Sequence, residues 1–84
     1  MNTKIILEVP DEVLISMKET SNEFARHLCM AASVKLYQMG KLSSGRAAQL
    51  AGIPRVAFLN SLSEYGVPMI DLTRDKLIQD LANA

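Results

Sequence analysis

Eighty-four residues, 49% hydrophobic and 21% charged, make a single globular domain and leave no room for a second core. The lone Cys29 excludes an internal disulfide. Zinc spacing, a signal peptide and an apolar run long enough for a bilayer are all missing, so a cytoplasmic setting with no membrane role is the expectation. Formal charge sums to zero but is unevenly placed: residues 1–23 carry two bases and five acids and residues 64–84 two and four, whereas residues 24–63 hold Arg26, Lys35, Lys41, Arg46 and Arg55 with no acid. Such a basic middle suits a phosphate-binding face.

The chain opens on "TKIILEV", rich in β-branched residues and ended by Pro10, which predicts a short strand with Ile5, Leu7 and Val9 on one face and Lys4, Ile6 and Glu8 on the other. One strand cannot stand alone, so it must pair with another segment or with its copy in a second chain. A short helix is expected from Pro10 or Asp11 to about Lys18, with Asp11 and Glu12 suiting its first turn and Val13, Leu14 and Met17 forming its stripe. Thr20 with Glu23 three residues on is a capping box. The helix it starts runs to Met39, with Phe24, Leu28, Ala32, Leu36 and Met39 at helical spacing and Gly40 as its stop.

Beyond it, "KLSSGRAAQLAG" predicts a helix capped by Ser43 or Ser44, with Ala47, Ala48, Leu50 and Ala51 inside and Gly52 closing it. Pro54 sets the first turn of another, running to Tyr65 with Phe58, Leu59, Leu62 and Tyr65 buried, and Gly66 ends it. "VPMIDL" is extended in character, and Thr73 caps a last amphipathic helix carrying Leu77, Ile78 and Leu81. The expected fold class is therefore mainly α, an α+β chain with one short N-terminal strand. Its single domain divides into a strand-helix-helix part (1–40), a two-helix corner (41–66) and a tail (67–84).

The corner is the informative stretch. Two helices meeting steeply need a small residue where they cross, a glycine at the turn and apolar anchors beyond it. Ala48, Gly52, Ile53 and Phe58 meet those needs. Residues Ser44 to Ser63 resemble the helix-turn-helix of prokaryotic regulators, departing from it where Ser61 stands in a place often apolar. The resemblance implies that the second helix reads DNA through its outward residues Arg55, Ala57, Asn60, Ser61 and Glu64. Arg55 would pair with guanine or a phosphate, Asn60 with adenine and Ser61 with a phosphate, while Ser43, Ser44 and Arg46 would touch backbone. The DNA-binding candidates are thus Ser44, Arg46, Arg55, Asn60 and Ser61, a set thin enough to require a dimer. The same corner also occurs in helical proteins that bind no DNA, and a protein-protein module whose corner is purely structural is the alternative.

The first forty residues resemble the ribbon-helix-helix fold, in which two chains pair their strands into one ribbon. Ile5, Leu7 and Val9 would then be dimerisation residues, sharing a core with Leu14, Phe24 and Leu28. Lys4, Ile6 and Glu8 would face the DNA groove, a poor reading set because Glu8 repels phosphate. Over nearly its whole length, through "LEVPDEV", "SVKLYQMGKLSSGRAAQLAGI" and "EYGVPMIDL", the chain resembles a small prokaryotic family of helix-turn-helix antitoxins. That resemblance implies an antitoxin, often paired with a nuclease-like toxin; the expected function is a homodimeric DNA-binding regulator that represses its own operon. The tail would supply the toxin contact through Met69, Ile70, Leu77, Ile78 and Leu81, as an added strand or a helix in a groove; folding back on its own core is the alternative.

Catalysis is not expected. His27 and Cys29 stand two apart on one helix and point to different faces, and there is no glycine-rich phosphate loop. Neither a metal site nor a cofactor is expected.

Overall fold

The computed structural model describes residues 1–67, which carry four α-helices in order: α1 (Asp11–Met17), α2 (Ser21–Gln38), α3 (Ser44–Ala51) and α4 (Arg55–Ser61), followed by a 3₁₀ turn (Leu62–Tyr65). The fold is mainly helical. Thr73 and the tail residues Met69, Ile70, Leu77, Ile78 and Leu81 lie outside the described residues.

Helix boundaries follow local chemistry. At the start of α2 the Thr20 N–H donates to Glu23 Oε1 at 3.0 Å, and the Glu23 N–H donates to Thr20 Oγ1 at 3.2 Å, completing the capping box. Those hydrogen bonds to Thr20, backbone first and then side chain, hold the Glu23 carboxyl below its usual range, with a smaller contribution from Arg26. Ser43 caps α3, its Oγ accepting from the Arg46 N–H at 3.2 Å. α4 is shorter than predicted: it gives way to the 3₁₀ turn at Leu62, before Gly66 ends the run at φ +75°.

The core lies around α2, α3 and α4. Val34, Tyr37, Ala47, Ala48, Phe58, Leu62 and Val67 are buried, with Met30, Leu42, Ala51, Ile53 and Leu59 packed on them. Tyr37 and Phe58 meet edge to face, their ring centroids 5.7 Å apart at 87°. The face of α2 that enters this core runs Met30, Ser33, Val34, Tyr37. That is not the predicted stripe, whose Met39 is 54% exposed and whose Leu28 lies far more open than Val34. Buried Ser33 is tolerated there because its hydroxyl donates to the Cys29 carbonyl at 2.6 Å. Leu50, expected inside, is exposed, and Val67, expected in the tail, closes the core and donates its N–H to the Leu62 carbonyl at 3.1 Å.

The expected N-terminal strand is not seen. Residues 1–10 form neither helix nor ladder, and no described segment is a strand that could pair with them. A strand exists only through hydrogen bonds to a neighbour, and β-branched composition cannot supply that neighbour. The predicted alternation is present nonetheless. Ile5, Leu7 and Val9 line an open hollow of about 410 Å³ together with Leu14, Phe24 and Leu28.

Candidate nucleic-acid interface

The corner is built from small residues outward. Ala47 and Ala48 are fully covered, which lets α3 lie close against its neighbours. Gly52 takes φ +75°, a left-handed conformation that an L side chain resists, and the Gly52 and Ile53 N–H groups close on the carbonyls of Gln49 and Ala48 at 3.2 and 3.1 Å. Ile53 packs on the core, Pro54 starts the next helix, and the Phe58 N–H donates to the Pro54 carbonyl at 2.9 Å. Phe58 and Leu62 then fix α4 from below, both with 0% exposure. The residues singled out for the turn therefore take the structural places expected of them.

The polar candidates divide. Arg46 is exposed on α3, and its Nη1 donates to Gln49 Oε1 at 2.9 Å, pairing two outward side chains three residues apart. Asn60 is exposed on α4. Ser44 is instead completely buried, and its Oγ accepts from Arg55 Nε at 2.7 Å. The Ser44 hydroxyl therefore faces Arg55 and not a phosphate, and Arg55 is turned back across the corner to bracket α3 to α4. Half-buried Ser61 donates its hydroxyl to the Phe58 carbonyl at 2.7 Å, a contact within its own helix. The groups sequence reasoning missed are Gln49 and Val56. Val56 is 70% exposed on the outer side of α4, with Ala57 and Asn60 beside it. Its spacing of four from Asn60 is the signal that would have found it.

Lys35, Lys41 and Arg46 are all exposed, in a stretch of sequence that holds no acid before exposed Glu64. His27, away from the corner, meets Glu19 at 3.3 Å and ties α2 to the turn before it. No group of metal-ligating side chains occurs among the described residues, and no helix there is long and apolar enough to cross a membrane.

The family model described as "Uncharacterised protein family (UPF0175)" matches residues 1–84. The chain belongs to this family. It is similar to a UPF0175 protein of Aeropyrum pernix, 28% identical over 78 residues that cover 93% of this chain and 82% of that protein. No solved structure matches it.

Proposed function

We propose that this UPF0175 chain is a DNA-binding transcriptional regulator and the antitoxin of a toxin-antitoxin pair, acting as a homodimer. One observation carries the reading. Buried Ala48, Phe58 and Leu62, with partly buried Ile53 packed on them, seat α4 against the core while its Val56, Ala57 and Asn60 stay exposed, within a stretch of sequence that holds five bases and no acid. A short helix held rigidly from one side and open on the other is what major-groove docking requires.

Dimerisation is supported by the N-terminal segment. Ile5, Ile6 and Leu7 are 77%, 81% and 65% exposed, a contiguous apolar run of the kind that marks interaction surfaces. A second copy pairing residues 3–9 antiparallel would satisfy their backbone and cover the hollow. Two corners per particle would also offset the thin set of contacts each one offers. The toxin contact is assigned to the tail, through Met69, Ile70, Leu77, Ile78 and Leu81.

The test is binding of the purified full chain to the DNA upstream of its own gene against a scrambled duplex, at low and at physiological salt. The expected result is preference for the upstream duplex, weakened by salt. No preference at either salt overturns the DNA reading. It would favour the second reading, a protein-interaction module, which the inward turn of Ser44 and Arg55 and the apolar Val56 surface support.

A further inference from the structure

We propose that Lys4 and Glu8 are the residues by which the N-terminal segment selects a second copy of itself: with two segments paired antiparallel about Ile6, each Lys4 stands directly opposite Glu8 of the partner subunit. This rests on the homodimer reading above and deepens it, from a second copy to the contacts that select it and fix its register.

The geometry starts at the hollow beside α1 and α2. Ile5, Leu7 and Val9 line it and Lys4, Ile6 and Glu8 do not, a period of two that belongs to extended backbone. Among the described residues no backbone hydrogen bond holds residues 2–9. An extended segment with open donors and acceptors is a template for another strand.

The charge pattern says which strand fits. In "TKIILEV", residues 3–9, one base and one acid stand two places either side of Ile6. In an antiparallel pair centred there, Ile6 faces its own copy, Ile5 faces Leu7, Lys4 faces Glu8 and Thr3 faces Val9. Opposed residues share a face of the ribbon. Ile5, Leu7 and Val9 of both copies therefore lie on the inner face, toward Leu14, Phe24 and Leu28, while two Lys4–Glu8 pairs flank the isoleucines outside.

Other arrangements lose this match. Parallel pairing in register sets Lys4 beside Lys4 and Glu8 beside Glu8. Sliding the antiparallel pair by two residues puts Lys4 opposite Pro10, which has no N–H, or Glu8 opposite Asn2, and separates the charges either way. A slide of one residue sets inner positions against outer ones. Self-complementary charge is the mark of a strand that meets its own copy, because one two-fold axis satisfies both ends at once. Exposed ion pairs are individually weak, so their role is selection: the apolar face supplies affinity, and like-charge contact rejects the wrong pairings.

The experiment measures self-association of the full chain by sedimentation at low salt, for the unaltered protein, Lys4→Glu, Glu8→Lys, the double variant and an equimolar mix of the two single variants. Lys4 and Glu8 are exposed, so helix content by circular dichroism should not change. Each single variant replaces two attractive contacts per dimer with two repulsive ones, which should weaken self-association at least about fourfold. The double variant should recover. The mix should form a heterodimer at least as tight as the unaltered homodimer, because an acid again faces a base at both ends. Raising the salt concentration should shrink every difference. Single variants that dimerise like the unaltered chain, or that weaken without recovering in the mix, overturn the register while the homodimer reading stands. A chain that stays monomeric up to its solubility limit overturns both, and makes another segment of the same chain or a different protein the cover of the hollow. The DNA-binding reading is tested apart from these outcomes, by the duplex assay.

Discussion

The two ends of α2 belong to differently finished halves of the molecule. Its C-terminal half, with α3, α4 and Val67, encloses a core in which Phe58, Leu62 and Ala47 have no exposure at all. Its N-terminal half, with α1 and residues 1–10, buries no residue below the same level: Phe24 and Leu28 look into an open hollow, and α1 has no buried residue. Both halves carry many apolar residues in sequence. What separates them is that the first closes with side chains of the described residues, whereas the second leaves its apolar side chains around an open hollow. In a chain of 84 residues a single closed core of this size supplies only modest stability, which makes an open second half costly.

Substitutions on the two sides should behave accordingly. Phe58→Ala removes a ring that meets Tyr37 edge to face at the centre of the closed half, and should cost about 3–5 kcal/mol in chemical denaturation. A shift much below that would mean that the corner does not depend on this contact. Gly52→Ala comes next. The added methyl group has open space around it, so its cost is the left-handed backbone alone, about 1–2 kcal/mol, readable as a lower melting temperature. Thr20→Ala removes a cap in the open half and should cost about 1 kcal/mol, seen first as faster amide exchange in the opening turn of α2.

Leu7→Ala sharpens the contrast most directly. In a dilute, monomeric sample it should change stability by no more than about 0.5 kcal/mol, because the side chain is 65% exposed. At concentrations where two copies associate it should weaken that association, measured by sedimentation. A large loss in the monomer would show that the hollow is closed within one chain. The smallest effect is one of pH. Hydrogen bonds from Thr20 lower the Glu23 pKa in the folded state, so the carboxylate's contribution is fully present above the ordinary glutamate range and is lost as pH falls through the lowered value. Titrating helix content from about pH 6 to about pH 2 should show this in the first turn of α2, and Glu23→Gln, which keeps a side-chain acceptor, should flatten it.

Much of the fold was legible in the chain, for a physical reason. The Thr20–Glu23 box, the Ser43 cap and the glycine stops at Gly52 and Gly66 involve residues no more than a turn apart, so their chemistry is complete within a few letters of sequence. The candidate interface was legible only in outline. Ala48, Gly52, Ile53 and Phe58 announce a corner through size and spacing, but where a polar side chain at that corner points depends on what lies across from it. Ser44 and Arg55 are eleven residues apart, and only packing α3 on α4 turns them toward each other and away from a ligand. Val56 went unnoticed because an apolar residue in a helix is expected inside, and its exposure is a property of the seating of α4.

Among the described residues, the amino-acid sequence by itself determined the four helices, their caps and turns, and an alternating apolar segment at the N-terminus, because hydrogen bonds and backbone preferences within a turn or two decide them. Tertiary structure alone decided which face of α2 is buried, which polar groups of the corner are used internally, and that residues 1–10 form no strand with any described segment. Each of those depends on a partner distant in sequence: Tyr37 needs Phe58, Ser44 needs Arg55, and a strand needs a second strand, which no described segment provides.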